Sequence, residues 1–414
     1  MKTISFVILF LLAASFACGA EATLTYPKGP LQNDPLEEEQ SLYAGNQNAP
    51  LPSNNRVGID YVPGENVVDP DSVYGGVAWD GVSGGNKLTF KNGHVPRFVL
   101  GGFSLKGDAI MNLVVFENGL AADAAIGKLC GGQTLNGDVI ENRVRIVGGE
   151  VVGDIYGGDA DANGNAIGNR VDIMDGKLSG FVNAGGVSGI GIARKNRVTI
   201  SGGTIAMGVA GGFAHFATGP PSKLAEHDKN KVKTNSVLEN SVMISGNAEI
   251  NGNVSGGFVL DSDGSANKNS VEITGGVIRG TVYGGRAYSG EANGNTIVIS
   301  GGTVKNKDNA IFAGYVHKLK DGAATDNTIR ISGKPDLETI TLHGNNLTSW
   351  KTDENTLNFK RFRGSIHGIS HFQNVNIDKD SVVTILGDGP VEVVNLNNQG
   401  RVVFKNGKFV VHGL

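Results

Sequence analysis

Hydrophobic and polar residues alternate in short segments along most of the chain. In one such segment, Asn169, Val171 and Ile173 share one face, while Arg170 and Asp172 lie on the other. This period of two is typical of a half-buried β-strand. The same segment, an asparagine followed by apolar residues two and four positions later, begins at Asn86, Asn112, Asn142, Asn169, Asn196, Asn240, Asn269, Asn295, Asn327 and Asn355. Most of these repeats are roughly 26 to 32 residues apart, a period that indicates a repeat architecture.

A second alternating segment follows each asparagine segment. We predict that Val151, Gly153, Ile155, Ile205, Met207, Val209, Ile278, Gly280 and Val282 point inward, and that Val152, Asp154, Ala206, Arg279 and Thr281 point outward. Paired glycines close this segment, as at Gly157-Gly158 and Gly185-Gly186. Each repeat therefore contains two clear strands and a third, weaker polar segment. Glycine is expected at the corners because it adopts positive φ without steric cost.

These repeats predict an all-β fold, a parallel β-helix of about 10–12 coils of ~27 residues. One repeat cannot bury its apolar face alone, whereas stacked coils pair their strands in parallel and share a core. At ~4.8 Å per coil the rod would be roughly 50–60 Å long. The asparagines begin on the inward face, so we assign them a structural role as a hydrogen-bonded ladder of amides.

Composition supports a solenoid and argues against some function classes. The chain has 63 glycines but only 12 prolines, without the period of collagen. Its 36 basic and 40 acidic residues give a net charge of −4. Nucleic-acid binding usually requires a concentrated basic face, so we expect no nucleic-acid partner.

The amino-terminal residues have the organisation of a secretory signal peptide, which we assign to residues 1–20. Lys2 precedes an apolar run, and small residues follow it. Cys18 offers an alternative interpretation as a lipid-attachment site. After cleavage the only thiol is Cys130, so disulfides do not stabilise the chain. No other stretch is apolar enough to cross a membrane, and we expect a monomer.

Three further regions complete the predicted organisation. Residues 21–72, which contain many prolines, are expected to lack the repeat and to form a flexible linker or an amino-terminal cap. Residues 73–360 form the repeat β-helix, with an inserted loop at 217–239 that is either a binding loop or a solvated excursion. Residues 361–414 form the terminal coils.

The repeat resembles those of autotransporter (type V secretion) passenger domains. The pattern Asn-x-Val-x-Ile-x-Gly-Gly-x-Val-x-Gly-x-Val-Tyr-Gly-Gly is most complete from Asn269 to Gly285, and Asn142 to Gly158 is similar. The resemblance implies a right-handed β-helix, a Gram-negative origin and export through the inner membrane. It also implies display on, or release from, the cell surface, often as an adhesin or virulence-related protein.

The sequence departs from this family in one respect. Such passengers precede an outer-membrane β-barrel, and no residues remain for one here. We therefore expect either a truncated passenger or a stand-alone protein, which leaves secretion, surface display and periplasmic retention open.

Several residues are candidates for chemistry. Asp159, Asp161 and Asn163 match the first half of a calcium loop, but Arg170 stands where the bidentate glutamate is expected. A polar corner is the alternative interpretation of this segment, and we expect no cofactor. Cys130 has no patterned histidine partner and is interpreted as an idle thiol.

Other candidates concern sugars and metals. Polysaccharide-cleaving β-helices use clustered acidic and basic residues, and here Asp154, Asp172 and Arg279 are the candidates. His367 and His371 are too far apart along a strand to share a metal. Two tyrosines, Tyr156 and Tyr283, occupy equivalent positions, as structural rungs or as sugar platforms.

We therefore predict a non-enzymatic secreted or surface passenger, similar to an adhesin. Its partners are expected to be host, matrix or neighbouring-cell molecules. The alternative is a carbohydrate-active β-helical enzyme, a lyase or a hydrolase.

Overall fold

The computed structural model is an all-β solenoid of about ten coils of about 27 residues. It describes residues 21–24, 41–43, 54–60, 72–95, 97–121, 127–215, 235–261, 263–318, 322–348 and 350–412. The predicted signal peptide with Cys18, and most of the 217–239 loop, lie outside these residues. The predicted fold class is confirmed, and the right-handed winding stays a prediction.

Each central coil contains four strands, which stack in parallel on those of the coils before and after. The first is the asparagine strand, at Glu21–Leu24, Arg56–Asp60, Lys87–Asn92, Leu113–Phe116, Arg143–Ile146, Arg170–Ile173, Arg197–Ile200, Ser241–Ile244, Ser270–Ile273, Thr296–Ile299, Thr328–Ser332, Thr356–Lys360 and Phe372–Ile377. A first short strand follows, at His94–Val95, Leu120–Ala121, Glu150–Val151, Lys177–Leu178, Thr204–Ile205, Glu249–Ile250, Val277–Ile278 and Thr303–Val304.

The other half of each coil is a long strand and a second short strand. The long strands are Ser41–Tyr43, Ser72–Tyr74, Val77–Ala78, Phe98–Lys106, Lys128–Asn136, Asp154–Asn163, Val182–Val187, Val209–Ala214, Val254–Val259, Val282–Ala287, Ala310–Val316, Leu337–His343 and Arg363–Ser370. The second short strands are Ser83–Gly84, Ala109–Ile110, Val139–Ile140, Ala166–Ile167, Ile192–Arg194, Ser236–Leu238 and Ser265–Asn267. These two- or three-residue strands correspond to the predicted weaker segment, but they are not polar as predicted, since most contribute a small apolar residue such as Ala109 or Val139 to the core.

The last coils are simpler. The strands Val382–Asn398 and Arg401–Val411 each run along two faces of the rod, and a 3₁₀ turn occupies Trp350–Thr352. Val382–Asn398 pairs with both the preceding long strand and the preceding asparagine strand. The short strands are absent from this part, so the coils become shorter and the cross-section changes.

The ten asparagines stack as a ladder inside the rod. Asn169 Nδ2 donates to Asn196 Oδ1 at 3.0 Å and to the Val139 carbonyl at 2.9 Å. The Asn169 backbone amide also donates to Asn196 Oδ1, at 2.9 Å. Only an amide supplies both the donors and the acceptor that this repeated arrangement needs. The ladder weakens at Asn327, whose Nδ2 is buried without a partner in the described part of the chain.

This ladder divides the interior into two apolar columns. The larger column contains Val, Ile, Leu and Phe side chains such as Ile155 and Val171. The smaller one contains mainly Ala and Val, such as Ala160 and Ala166. Between them Gly158 faces Asn169, and a methyl group at Gly158 would overlap the amide. The second glycine of each pair is therefore needed for close packing.

The first glycine of the pair is also closely packed, because a Cβ at Gly157 would overlap the backbone carbonyl of Ala184 on the next coil. Parallel pairing aligns Gly158 with Gly185, and so places Ala184 opposite Gly157. The pair predicted at Gly185-Gly186 is thus one residue out of register. The coil of Ala184 does accommodate a methyl group at the first position.

The residue before each asparagine turns the chain. It has positive φ in every repeat, and it is a glycine only at Gly85, Gly168 and Gly294. The others are Met111, Glu141, Lys195, Glu239, Lys268, Asp326 and Glu354, with φ between 53° and 58°. Glycine does occupy other corners with positive φ, as predicted, for example at Gly149 and Gly276, but this corner before the asparagine was not predicted. Stacking between coils holds a conformation that costs an isolated residue roughly 1–3 kcal/mol.

The second alternating segment differs from its prediction. It is two strands with a bend between them, because Lys177–Leu178 and Val182–Val187, for example, belong to different ladders. Met207 lies in such a bend and is 47% exposed, although we predicted it inside. Thr281, predicted outside, is buried. A period of two cannot reveal where a strand changes direction.

Two predicted boundaries also change. Asn55-Arg56-Val57-Gly58-Ile59 is a further repeat, and its strand pairs with Lys87–Asn92. The expectation that residues 21–72 lack the repeat is therefore wrong for their described part. The insertion is shorter than predicted, because Ser236–Leu238 is a second short strand that pairs with Ile192–Arg194.

Candidate functional site

The outer face of the long strands holds two aligned columns of side chains. One column precedes the glycine pair and includes Tyr156 and Tyr283; the other follows it and includes Asp159 and Arg286. The glycines between the columns have no side chains. Residues that are far apart in sequence therefore share equivalent surroundings on one face of the rod.

In the amino-terminal half, Asp159 of the second column belongs to a buried ion pair, and its partner Lys128 lies two positions before the first column. Lys128 Nζ contacts Asp159 Oδ2 on the next coil and lies 3.8 Å from Asp161 Oδ1. It also lies 4.9 Å from the centre of the Tyr156 ring. Gln133 Nε2 donates to Asp161 Oδ2. We call these five residues the lysine cluster.

The cluster is largely shielded from water. The side chains of Lys128 and Asp159 are only 16% and 3% exposed. Asp159 Oδ1 is buried and has no hydrogen-bond partner among the described residues. Removing charges from water costs several kcal/mol per ion, so these groups depend on one another.

Burial and charge shift the pKa values of these groups. Burial alone would lower the pKa of Lys128, but Asp159 and Asp161 outweigh it and raise that pKa above its usual value. For Asp161, burial and then the charge of Asp159 raise the pKa to about 6. A hydrogen bond to Asp159 contributes in the same direction. Burial also raises the pKa of the Tyr156 hydroxyl.

The calcium candidates lie at this cluster. Asp159 and Asp161 are in the long strand Asp154–Asn163, not in a loop. A lysine ammonium faces both carboxylates, and Asn163 stands at the end of the strand. Within the described ranges, no group of three or more His, Cys, Asp or Glu side chains is placed to bind a metal ion.

Cys130 lies beside the same cluster. Its thiol is buried and donates to the Gly132 carbonyl at 3.1 Å. Burial raises the pKa of this thiol, although the charge of Lys128 opposes the shift. A buried neutral thiol is a poor nucleophile.

The carboxyl-terminal half presents aromatic rings in the same columns. We define the aromatic strip as Phe213, Phe258, Tyr283, Arg286, Phe312, Tyr315 and His343. The ring of Phe312 stacks on those of Tyr283 and His343, with centroids 5.8 Å and 4.5 Å away. Tyr315 packs edge-on against Tyr283 at 5.3 Å. The strip thus extends over several consecutive coils.

Arg286 lies in the middle of this strip. Its guanidinium is 4.6 Å from the ring centre of Phe258, 5.2 Å from that of Tyr283 and 6.0 Å from that of Tyr315. Among the described residues, no carboxylate lies within ion-pair distance of it. The guanidinium is therefore held by rings and keeps its hydrogen-bond donors for another group.

The two tyrosines of interest have different neighbours. Tyr283 is 7% exposed and stacks on Phe312, so its ring serves as a rung. The Tyr156 ring lies against Lys128. The buried Tyr283 ring therefore presents no open face as a sugar platform would.

The candidates for carbohydrate cleavage do not converge. Asp172 pairs with Arg143 at 2.6 Å, and Arg279 pairs with Glu249 at 3.2 Å. Asp154 accepts a hydrogen bond at 2.8 Å from the backbone amide of Phe181. These are separate contacts on different ladders.

An open depression of about 580 Å³ lies near the carboxyl-terminal end of the strip. Asp308, Glu338, His343, His367 and Lys405 line it. Burial, followed by the charge of His371, lowers the pKa of His343 to about 4. The depression thus brings acidic and basic groups together.

The two histidines that the sequence offered as candidate metal ligands lie in different surroundings. His367 lines the depression, whereas His371 stacks with His343 at 6.1 Å. The Nδ1 atom of His371 is 2.6 Å from the Ser370 hydroxyl.

Sequence reasoning missed Lys128 and Arg286. Lys128 is separated from Asp159 by 31 residues. Alignment of the repeats on their glycine pairs would have placed both cations beside a tyrosine on the outer face. Comparison with known proteins gives no match to a family model, a curated protein or a solved structure. No helix in the described part of the chain has the length and hydrophobicity to cross a lipid bilayer.

Proposed function

We propose that this protein is a non-enzymatic secreted or surface-displayed rod that binds extracellular macromolecules. The observation that carries the proposal is Arg286 in the aromatic strip. The guanidinium has rings on several sides and no carboxylate partner among the described residues. Aromatic and arginine side chains contribute much of the binding energy at protein interfaces.

The position of the strip supports a binding role. The opposite face of the same strands already supplies the apolar core, through residues such as Val254 and Val282. The outer rings are not needed to close that core, and aromatics make up only 7% of the chain. Their concentration beside one arginine matches a partner that presents an acidic group to a flat, apolar surface.

Export by a type V-like route is part of this proposal. It rests on the amino-terminal pattern and on the resemblance of the repeat to autotransporter passengers. Fractionation of a Gram-negative host that expresses the chain would test it. We expect the processed protein in the medium or at the cell surface, with the periplasm as the other exported outcome. Unprocessed protein in the cytoplasm would contradict the proposed route.

The binding proposal is tested with immobilised acidic polysaccharide, neutral polysaccharide and matrix protein. We expect the purified protein to bind an acidic surface, and Arg286→Met to weaken binding at least about tenfold, a loss of about 1.4 kcal/mol. Arg279→Met is the matched control, because Arg279 is an exposed arginine already paired with Glu249. Equal binding by both variants would show that Arg286 is not part of the binding interface.

A carbohydrate-active enzyme is the second candidate, and the depression favours it. Asp308 and Glu338 are carboxylates of the kind that glycoside cleavage requires, with His367 and Lys405 nearby. Incubation with polysaccharides would release reducing ends or unsaturated uronates, and Glu338→Gln would abolish this release. If neither reducing ends nor unsaturated uronates are released from a broad panel of polysaccharides, the result would favour the proposed binding function over the enzyme.

A further inference from the structure

We propose that Lys128 and Asp159 are joined by an isopeptide bond, an amide between the lysine Nζ and the aspartate Cγ that links two neighbouring coils. The two side chains are in contact across the ladder, 31 residues apart in sequence. They start from paired long strands, in which Lys128 lies opposite Asp154. The inference is independent of any ligand of the rod.

Burial of the pair is what an amide would relieve, since the ammonium of Lys128 is held only by the charges of Asp159 and Asp161. Lys128 and Asp159 are almost fully withdrawn from water, and the Tyr156 ring covers the ammonium. Burying an ion pair has a large desolvation penalty, which a neutral amide avoids. Asp159 Oδ1 makes no hydrogen bond within the described residues, so one carboxylate oxygen is not held in place.

Asp161 supplies the proton carrier that the reaction needs. Its Oδ1 lies 3.8 Å from the Lys128 Nζ, and Gln133 holds its other oxygen. When protonated, Asp161 can donate a hydrogen bond to Asp159. Such a hydrogen bond draws electrons from the carboxyl and makes Cγ a better electrophile. Because the lysine rests as an ammonium, proton transfer must come first.

The steps balance without any added reagent. One Nζ proton moves to the Asp159 carboxylate, and the freed lone pair attacks Cγ. The nitrogen then passes a second proton through Asp161 to the Asp159 hydroxyl, which leaves as water. The Nζ–Cγ bond forms and a Cγ–O bond breaks. Nothing is oxidised or reduced, and Asp161 returns to its starting state.

The deciding experiment is the intact mass of the purified, folded full-length protein. We expect a mass one water molecule below that of the unlinked chain. After trypsin, Lys128 should resist cleavage, so the peptide 107–143 should remain joined to the peptide 146–170. Fragmentation should locate the link at Lys128 and Asp159.

Three variants sharpen the result. Lys128→Arg keeps the positive charge but cannot form this amide, and its mass should equal that of the unlinked variant chain. Asp159→Ala should behave in the same way. Asp161→Asn removes the proton carrier and should slow the water loss at least about tenfold, within the range of general acid–base effects.

Two results would overturn the proposal. One is a wild-type mass equal to that of the unlinked chain, with separate peptides on either side of Lys128. The other is a water loss that fragmentation places elsewhere, for example in a succinimide at Asp388-Gly389. The wild-type measurement decides the question even where a variant fails to fold.

Discussion

The lysine cluster and the aromatic strip lie on the same outer face of the long strands and share two of its columns in part, yet they differ in how they hold a cation. In the first, two carboxylates surround Lys128 and little of the side chain reaches water. In the second, rings surround Arg286 and it has no carboxylate partner among the described residues. The coil structure is therefore kept while the side chains in the outer columns, and the interactions they make, differ between the two regions.

The two sites therefore differ in whether the cation has a charged partner within the described protein. The lysine cluster satisfies its cation within the protein, so it is suited to stabilise the rod. Arg286 retains donors that an external acidic group can accept. A solenoid can therefore hold a structural site and a binding site on the same face of its stacked strands, because each coil contacts mainly its neighbours.

The largest expected effect is that of Lys128→Met. In the variant, Asp159 and Asp161 are buried carboxylates with no lysine to neutralise them, whether Lys128 of the wild type is ion-paired or amide-linked, and such losses cost roughly 3–5 kcal/mol of folding free energy. Urea denaturation followed by circular dichroism measures it. Lys177→Met is the control, because the Lys177–Glu150 pair is exposed and is expected to contribute less than about 1 kcal/mol. Equal losses of folding free energy in the two variants would show that the lysine cluster stabilises the protein no more than an exposed ion pair does.

The pH dependence of stability should have opposite signs in the two regions. Folding lowers the pKa of His343 to about 4, so the unfolded chain binds more protons between pH 4 and its ordinary value near 6.5. The stability from His343 is therefore full above about pH 6.5 and falls toward pH 4, by at most about 3 kcal/mol. His343→Gln should flatten this part of the pH profile.

Asp161 should act in the other direction. In the ion-paired chain without the amide, its folded pKa is raised to about 6, so its contribution is present below about pH 4 and is lost as the pH rises through 6. Asp161→Asn should remove this loss. Urea midpoints measured between pH 4 and 7 test both variants. If His343→Gln and Asp161→Asn changed the pH dependence of stability in the same direction, the predicted difference between the two regions would be contradicted.

Substitutions in the shared scaffold should affect both regions alike. Gly158→Ala and Gly285→Ala each place a methyl group against an asparagine amide, Asn169 or Asn295. We expect each to cost roughly 1–3 kcal/mol, as overpacking does. Gly157→Ala should cost at least as much, because its methyl group would overlap the backbone carbonyl of Ala184, which can move less than a side chain. Thermal denaturation of the three variants tests this ranking.

The smallest expected effect on stability is that of Arg286→Met. Loss of its cation–π contacts should cost roughly 0.5–2 kcal/mol, because the side chain is only partly buried. A loss as large as that of Lys128→Met would place Arg286 among the structural residues. Urea midpoints of the two variants, measured side by side, make the distinction.

Much of the fold followed from local patterns. The asparagine strands and the ladder of amides were recognisable because Asn169 and its equivalents recur with the same apolar neighbours. The bend near Met207 was not recognisable, since alternation continues through it. The repeat at Asn55 matches the pattern, but the prolines around it predict a linker instead.

The candidate site was much less predictable. The motif at Asp159 and Asp161 indicated a cation, and the cation that the structure places there is the ammonium of Lys128. The residues proposed for cleavage, including Asp172 and Arg279, instead form separate ion pairs. Single charges carry no periodic signal, so a search for repeats passes over them.

The sequence by itself determined the coil, through a period of two within each strand, a repeat of about 27 residues and a glycine opposite each asparagine. Only the tertiary structure decided which outer side chains meet. Stacking brings residues that are one coil apart in sequence to a separation of ~4.8 Å between strands. Side-chain length and burial then select the partner. Lys128 reaches Asp159 and Arg286 reaches three rings for this reason, and no local pattern records it.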